Sequence, residues 1–410
     1  MQQIDRRTVL STMLGVGFGL TLAKPGESQT TEQEQNSYSL LPIPELTAVD
    51  NLSVTAIPSE DRLFMAALGH NPENTDKPLV KIVQYDGRRR EYQSSQLEST
   101  HRFSETSFIQ PVVHSDHRVT VAYAFSDGHS SLIGYERIGD QFNPISSIPI
   151  PSSIGAAASL NERYSLVQMN NDAREFHIVD LDETDTADPI KKTVPNAIGF
   201  AIMPGMQGVV VLTEDGHMYA FADSPDGIVE LPTLDLGSGE LSLRGGNEMI
   251  GVVKRENGSI QVAYYGLTGT EQNEWQLLHI TDFSSIEGLV GEENDVVLAS
   301  IGKIGADFIA SGYAYREIAQ PEPGEVGAAV VSNNLRYKCG TFVDRSGTLK
   351  FVPADEMREV VSDGLPPVAF MQPYFSLPTG VVEIRNPYNL RQVAISQPPA
   401  GQFLPILYNQ

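Results

Sequence analysis

A single cysteine, Cys339, leaves this 410-residue chain without any intrachain disulfide, so its fold is held by other means. In the run Tyr337-Lys338-Cys339-Gly340-Thr341-Phe342 that cysteine reads as a small buried hydrophobe, not a reactive thiol. Lysine is scarce as well. Nine lysines and 19 arginines stand against 52 acidic residues, giving a net charge of −24 and a pI near 4.6. So acidic a surface repels phosphate backbones and anionic membranes, which excludes nucleic acid as a partner class. Long apolar runs are missing too. The longest candidate, Val9 to Ala23, has 15 residues, short of the roughly 20 that span a bilayer, so the mature chain is expected to carry no transmembrane span. No amphipathic helical period stands out beyond the N-terminus, and Trp275 is the only tryptophan.

What the chain does have is one hairpin grammar, used repeatedly. An alternating apolar run from Val121 to Phe125 meets Asp127-Gly128-His129, and a second run follows from Leu132 to Tyr135. Asp-Gly suits a two-residue hairpin turn because glycine accepts positive φ and aspartate tolerates it. The pattern returns at Asp215-Gly216-His217 and Asn257-Gly258, with weaker copies at Asp172, Gly305, Gly347 and Asn389. Anchors at 128, 172, 216, 258, 305, 347 and 389 are 44, 44, 42, 47, 42 and 42 residues apart.

A strand-only repeat of that length resembles one four-stranded blade of a β-propeller. The resemblance implies an all-β ring over 40–410, with eight blades favoured by the hairpin count and seven as the alternative. Small residues at Gly155-Ala156-Ala157-Ala158 and Gly327-Ala328-Ala329 fit first strands crowded around a channel. The lead-in stretch near Ser39 is expected to pair into the last blade and close the ring. Signatures of particular propeller families are missing: no tryptophan recurs blade by blade as in quinoprotein dehydrogenases, the sialidase Asp-box is not found, and no Gly-His is paired with the Trp-Asp that completes the signature of WD repeats.

Residues 1–23 read as an export signal. Asp5-Arg6-Arg7-Thr8-Val9-Leu10 places an arginine pair before a short apolar stretch, which resembles the twin-arginine type, with Arg6 and Arg7 as its recognition residues. Residues 24–39 are polar and aperiodic and read as a disordered linker. The protein is therefore expected outside the cytoplasm, secreted or associated with the cell envelope, and monomeric.

Candidate chemistry is sparse. His114-Ser115-Asp116-His117 holds possible metal ligands but reads as a solvated hairpin tip. The acidic run from Asp180 to Asp188 departs from the EF-hand pattern at its sixth and twelfth positions, Asp185 and Lys191, and reads as a solvated loop. No Gly-x-Ser-x-Gly elbow is present, and no cofactor or metal is expected. Asn51 and Asn257 match the short glycosylation pattern. The leading reading is an exported, non-enzymatic binding or scaffold protein that presents a loop face to a protein or glycan. Asp127, His129, Asp215 and His217 are its candidate ligand residues, on the same rim as a long loop from Gly69 to Lys77. The alternative is an extracytoplasmic propeller lyase, lactonase or hydrolase with its site at the channel mouth.

Overall fold

The computed structural model describes residues from 39 to 397, apart from 48–50, 58–61, 87, 90, 184–188, 247, 257, 269–273, 288–294, 305, 318–334, 354–359, 363–371, 378–379 and 386–391. The export signal, most of the linker, Gly305, Asn389 and the small run at 327–329 lie outside the described residues. Among those described there is antiparallel strand throughout, two short 3-10 turns at Phe103–Glu105 and Pro204–Met206, and no helix long and apolar enough to cross a membrane.

The described strands form seven sheets. Sheet one holds β2 (Asn51–Ile57), β3 (Arg62–Asn71), β4 (Asn74–Asp86) and β5 (Glu91–Glu98). Sheet two holds β6 (Thr106–Val113), β7 (Arg118–Phe125), β8 (Ser130–Ile138) and β9 (Gln141–Ile150). Sheet three is β10 (Ile154–Ser159), β11 (Tyr164–Met169), β12 (Phe176–Asp180) and β13 (Ile190–Val194). Sheet four is β14 (Ala197–Met203), β15 (Gly208–Thr213), β16 (His217–Ser224) and β17 (Gly227–Asp235). Sheet five is β18 (Glu240–Gly245), β19 (Met249–Glu256), β20 (Ser259–Thr268) and β21 (Glu274–Asp282). Sheet six is β22 (Asp295–Ile304), β23 (Asp307–Glu317), β24 (Leu335–Arg345) and β25 (Thr348–Pro353), with β26 (Val360–Ser362) also on β24. Sheet seven takes β27 (Gln372–Leu377), β28 (Gly380–Arg385) and β29 (Gln392–Gln397), and its outer strand is β1 (Ser39–Thr47), with Leu41 opposite Ile395. The lead-in stretch thus closes the ring, as its place before the first repeat suggested.

Second strands explain why the repeats look so apolar. β15 is buried along its whole length, and its residues serve two interfaces in alternation. Val209 and Val211 pack with Leu166 and Ile178 of sheet three, while Val210 and Leu212 pack with Ile250 and Val252 of sheet five. The same face-to-face packing joins sheets one and two, two and three, and five and six. First strands of sheets six and seven touch, as do those of sheets seven and one, so the sheets follow one another around a ring. This is the β-propeller architecture.

The repeated turns do not all join the same pair of strands. Near Gly128, Asp172, Gly216, Gly258 and Asn389 the chain passes from second to third strand. The connection at 305 instead joins first to second strand, and Gly347 joins third to fourth, both within sheet six. The described residues form seven sheets, and the small run expected to begin a further blade lies outside them. The expected loop from Gly69 to Lys77 is also not a loop. β3 and β4 run through it, leaving only Pro72 and Glu73 to turn.

Candidate functional site

Because strands alternate in direction, second-to-third turns share one rim with the sheet-to-sheet connections, and the remaining turns share the other. On the first of these rims the β3–β4 hairpin reaches past its sheet and straps down the connection from sheet one to sheet two. Asp76 carries the strap: its Oδ1 accepts from the Ser104 backbone N–H and its Oδ2 from the Ser104 hydroxyl, both at 2.9 Å. The His70 ring lies on Phe103, with centroids 4.4 Å apart, and its Nδ1 donates to the Thr75 carbonyl at 2.8 Å. Beside it His101 meets Tyr123 and Phe125 edge-on, each at 4.9 Å. Tyr123 is fixed from below by the Ser99 hydroxyl at 2.7 Å, and burial raises its phenol pKa so that it stays neutral.

Phe125 leads into the candidate turn. Its backbone N–H donates to the His129 carbonyl at 2.8 Å, Gly128 adopts φ +90°, and Asp127 Oδ1 accepts from His129 N–H at 3.1 Å. That backbone bond, helped by the imidazole 3.3 Å away, holds the Asp127 carboxyl below its ordinary pKa. His70, His101, Phe103, Phe125, Asp127 and His129 therefore share one rim of sheets one and two. His129 stands 74% exposed and His101 32%.

The second candidate turn is built alike but lies elsewhere. Thr213 Oγ1 donates to Asp215 Oδ1 at 2.5 Å, which with the neighbouring His217 lowers the Asp215 pKa. Its sheet is the fourth, with sheet three between it and the Asp127 turn, so the same rim carries both turns without bringing them together. Sequence reading found these turns but missed His70, His101, Phe103 and Phe125. Their joint signal was histidine or phenylalanine at the ends of strands and connections that meet the same rim.

The opposite rim corrects two expectations. His114 is buried: Nδ1 donates to the Asn161 carbonyl at 2.7 Å, and Nε2 accepts from the Thr120 hydroxyl at 3.0 Å. Desolvation lowers its pKa to about 4, so it is neutral near pH 7 and joins sheet two to sheet three. Only His117 is exposed as the hairpin reading required. In the acidic run, Asp180 is fully buried against Arg163 (2.7 Å), and Asp182 receives Arg118 at 2.7 Å. Asn161 continues the belt by donating to Asp223 of sheet four at 2.8 Å. Among the described residues no three of His, Cys, Asp and Glu gather as metal ligands.

No protein-family model and no curated protein sequence matches the chain. Among solved structures it is similar to the β-propeller domain of Cps50 (Swd1) from Myceliophteria thermophila, at 10% identity over 87% of this chain and 98% of that one, with TM-score 0.48. It is also similar to U3-55K, at 11% identity over 88% and 98% with TM-score 0.43. A third is a chain of the mitotic checkpoint complex, at 9% over 94% and 99% with TM-score 0.45. At such values the assignment of architecture rests on this chain's own sheet topology.

Proposed function

We propose that this is an exported, non-enzymatic β-propeller that holds a protein or glycan partner on the rim of sheets one and two. The observation that carries the reading is the strapped hairpin: Asp76 on Ser104 and His70 on Phe103 hold partly exposed rings in place. Rings held rigid by their neighbours give contact area at little entropic cost, which is the character of a recognition surface. Asp127 and Asp215 are engaged inside their own turns and kept ionised, which suits them to accept hydrogen bonds and not to transfer protons. Export rests on Arg6 and Arg7. Replacing both with lysine is expected to leave a folded precursor inside the cell, and unchanged export would reduce the signal to an ordinary secretory one.

Binding is tested by probing a glycan array and a displayed-peptide library with the mature chain and with a His101→Ala/Phe103→Ser variant. Ligands retained by the wild type and lost by a variant of unchanged melting temperature support the rim. Ligands retained by both place recognition elsewhere.

A further inference from the structure

Four of the seven large apolar side chains that stand exposed among the described residues, Val229, Leu277, Leu278 and Ile280, lie on two neighbouring outer strands, β17 and β21. Single exposed hydrophobes are ordinary, but a concentration of them marks a contact surface. Residues directly opposite in a sheet share a face, so the pairing register says where these side chains look. Val229 pairs with Ala222 and Leu277 with Tyr265, and both partners pack on the cluster between sheets four and five. Ile280 pairs with Ala263, whose neighbours Val262 and Tyr264 face sheet six, so Ile280 takes the face toward sheet four. Val229, Leu277 and Ile280 therefore line one apolar strip between the two outer strands, exposed by 39, 46 and 51%. Trp275 ties the strands across it, its indole N–H donating to the Pro232 carbonyl at 2.7 Å.

The chemistry of the strip selects its occupant. Its exposed side chains are aliphatic, and the Trp275 indole across it is partly covered and tied to Pro232, so no open aromatic platform is offered for a sugar to stack on. Asp282 pairs with Gln261 and so stands on the same face, and the chain carries a net charge of −24, so a second copy is repelled and a basic partner attracted. The register shift opposite Tyr264 and Tyr265 makes Leu278 a bulge, folded over Gly266, which interrupts the edge that an added strand would need. A helix satisfies its own backbone and needs only the side chains. We infer that the strip between β17 and β21 docks an amphipathic basic helix of a partner protein, a second surface independent of the histidine rim.

The probe is a tryptophan-free synthetic peptide of about 18 residues, leucines on one helical face and lysines on the other, roughly 27 Å long as a helix. Trp275, the only tryptophan in the chain, reports from the strip. The expected result is a saturable change in its emission, weakened at least about tenfold in Leu277→Ser/Ile280→Ser and absent with a glutamate version of the peptide. Val229→Ser, on the other strand, must weaken binding too, and it serves alone if circular dichroism shows the double variant misfolded. Unchanged binding in the folded variants, or equal binding of the glutamate peptide, overturns the proposal. So does a concentration-dependent dimer in ultracentrifugation that the same substitutions abolish, since the strip then belongs to a second copy.

Discussion

The two rims of the ring use the same residue types for opposite purposes. On one, His114 and Arg118 of sheet two bond to sheet three, Asn161 of sheet three bonds to sheet four, and Asp180 is buried on Arg163 within sheet three. On the other, Asp127 and His129 bond within their own turn, and their outer surfaces stay in solvent. A histidine whose partners come from another sheet is structural, whereas one whose partners come from its own turn is available. The contrast predicts that substitutions on the first rim act on stability and those on the second act on binding.

The largest effect is expected from Arg163→Ala. Asp180 has no exposure, and removing its partner strands a buried carboxylate at about 3–4 kcal/mol. Urea unfolding measures it, and Asp180→Asn should cost less because the half-exposed Arg163 regains water. If the two cost the same, the belt is not held by charge.

Next comes the pH dependence set by His114. Its folded pKa of about 4 lies below the ordinary 6.5, so the unfolded chain binds the proton first. Stability is full above pH 6.5 and falls as pH drops toward 4, by on the order of 3 kcal/mol. Burial lowers His177 in the same sense, so the measurement is the difference in urea midpoints between the wild type and His114→Gln at pH 8 and at pH 4.5. Equal slopes in the two proteins would contradict the buried, neutral assignment.

Gly128 and Gly216 sharpen the comparison within one rim. Both adopt positive φ, at +90° and +86°. A Cβ on Gly128 meets nothing within 4 Å, so Gly128→Ala should cost about 1 kcal/mol from backbone strain alone. On Gly216 it would overlap the Gly237 carbonyl, which adds roughly another 1–2 kcal/mol of overpacking. Equal thermal shifts would show that the Gly237 segment yields freely. The smallest effect belongs to His129→Ala with His217→Ala, where stability should move by roughly 0.5 kcal/mol or less.

Much of this was readable from the chain. Asp-Gly turns between alternating runs located the second and third strands of sheets two and four, because positive φ demands glycine whatever the tertiary context. In sheet six, positions 305 and 347 fall a blade-length apart, although neither lies between the second and third strands described there. Spacing does not say which strands a turn joins. His114 and Asp180 looked solvated because each sits beside other polar residues in sequence, and their burial depends on Asn161 and Arg163, which belong to the turn between β10 and β11. His70, His101 and Phe103 were illegible for the same reason, since the hairpin that gathers them was read as a loop.

The division between rims is tested most directly by placing a photo-crosslinking amino acid at position 129, at 101 or at 117 of the full chain, one at a time, in the cell that produces it. The account predicts a discrete crosslinked partner from 129 and 101 and none from 117. A partner captured from 117 and not from the other two would contradict it, and would make the rim of His114 and His117 the working face.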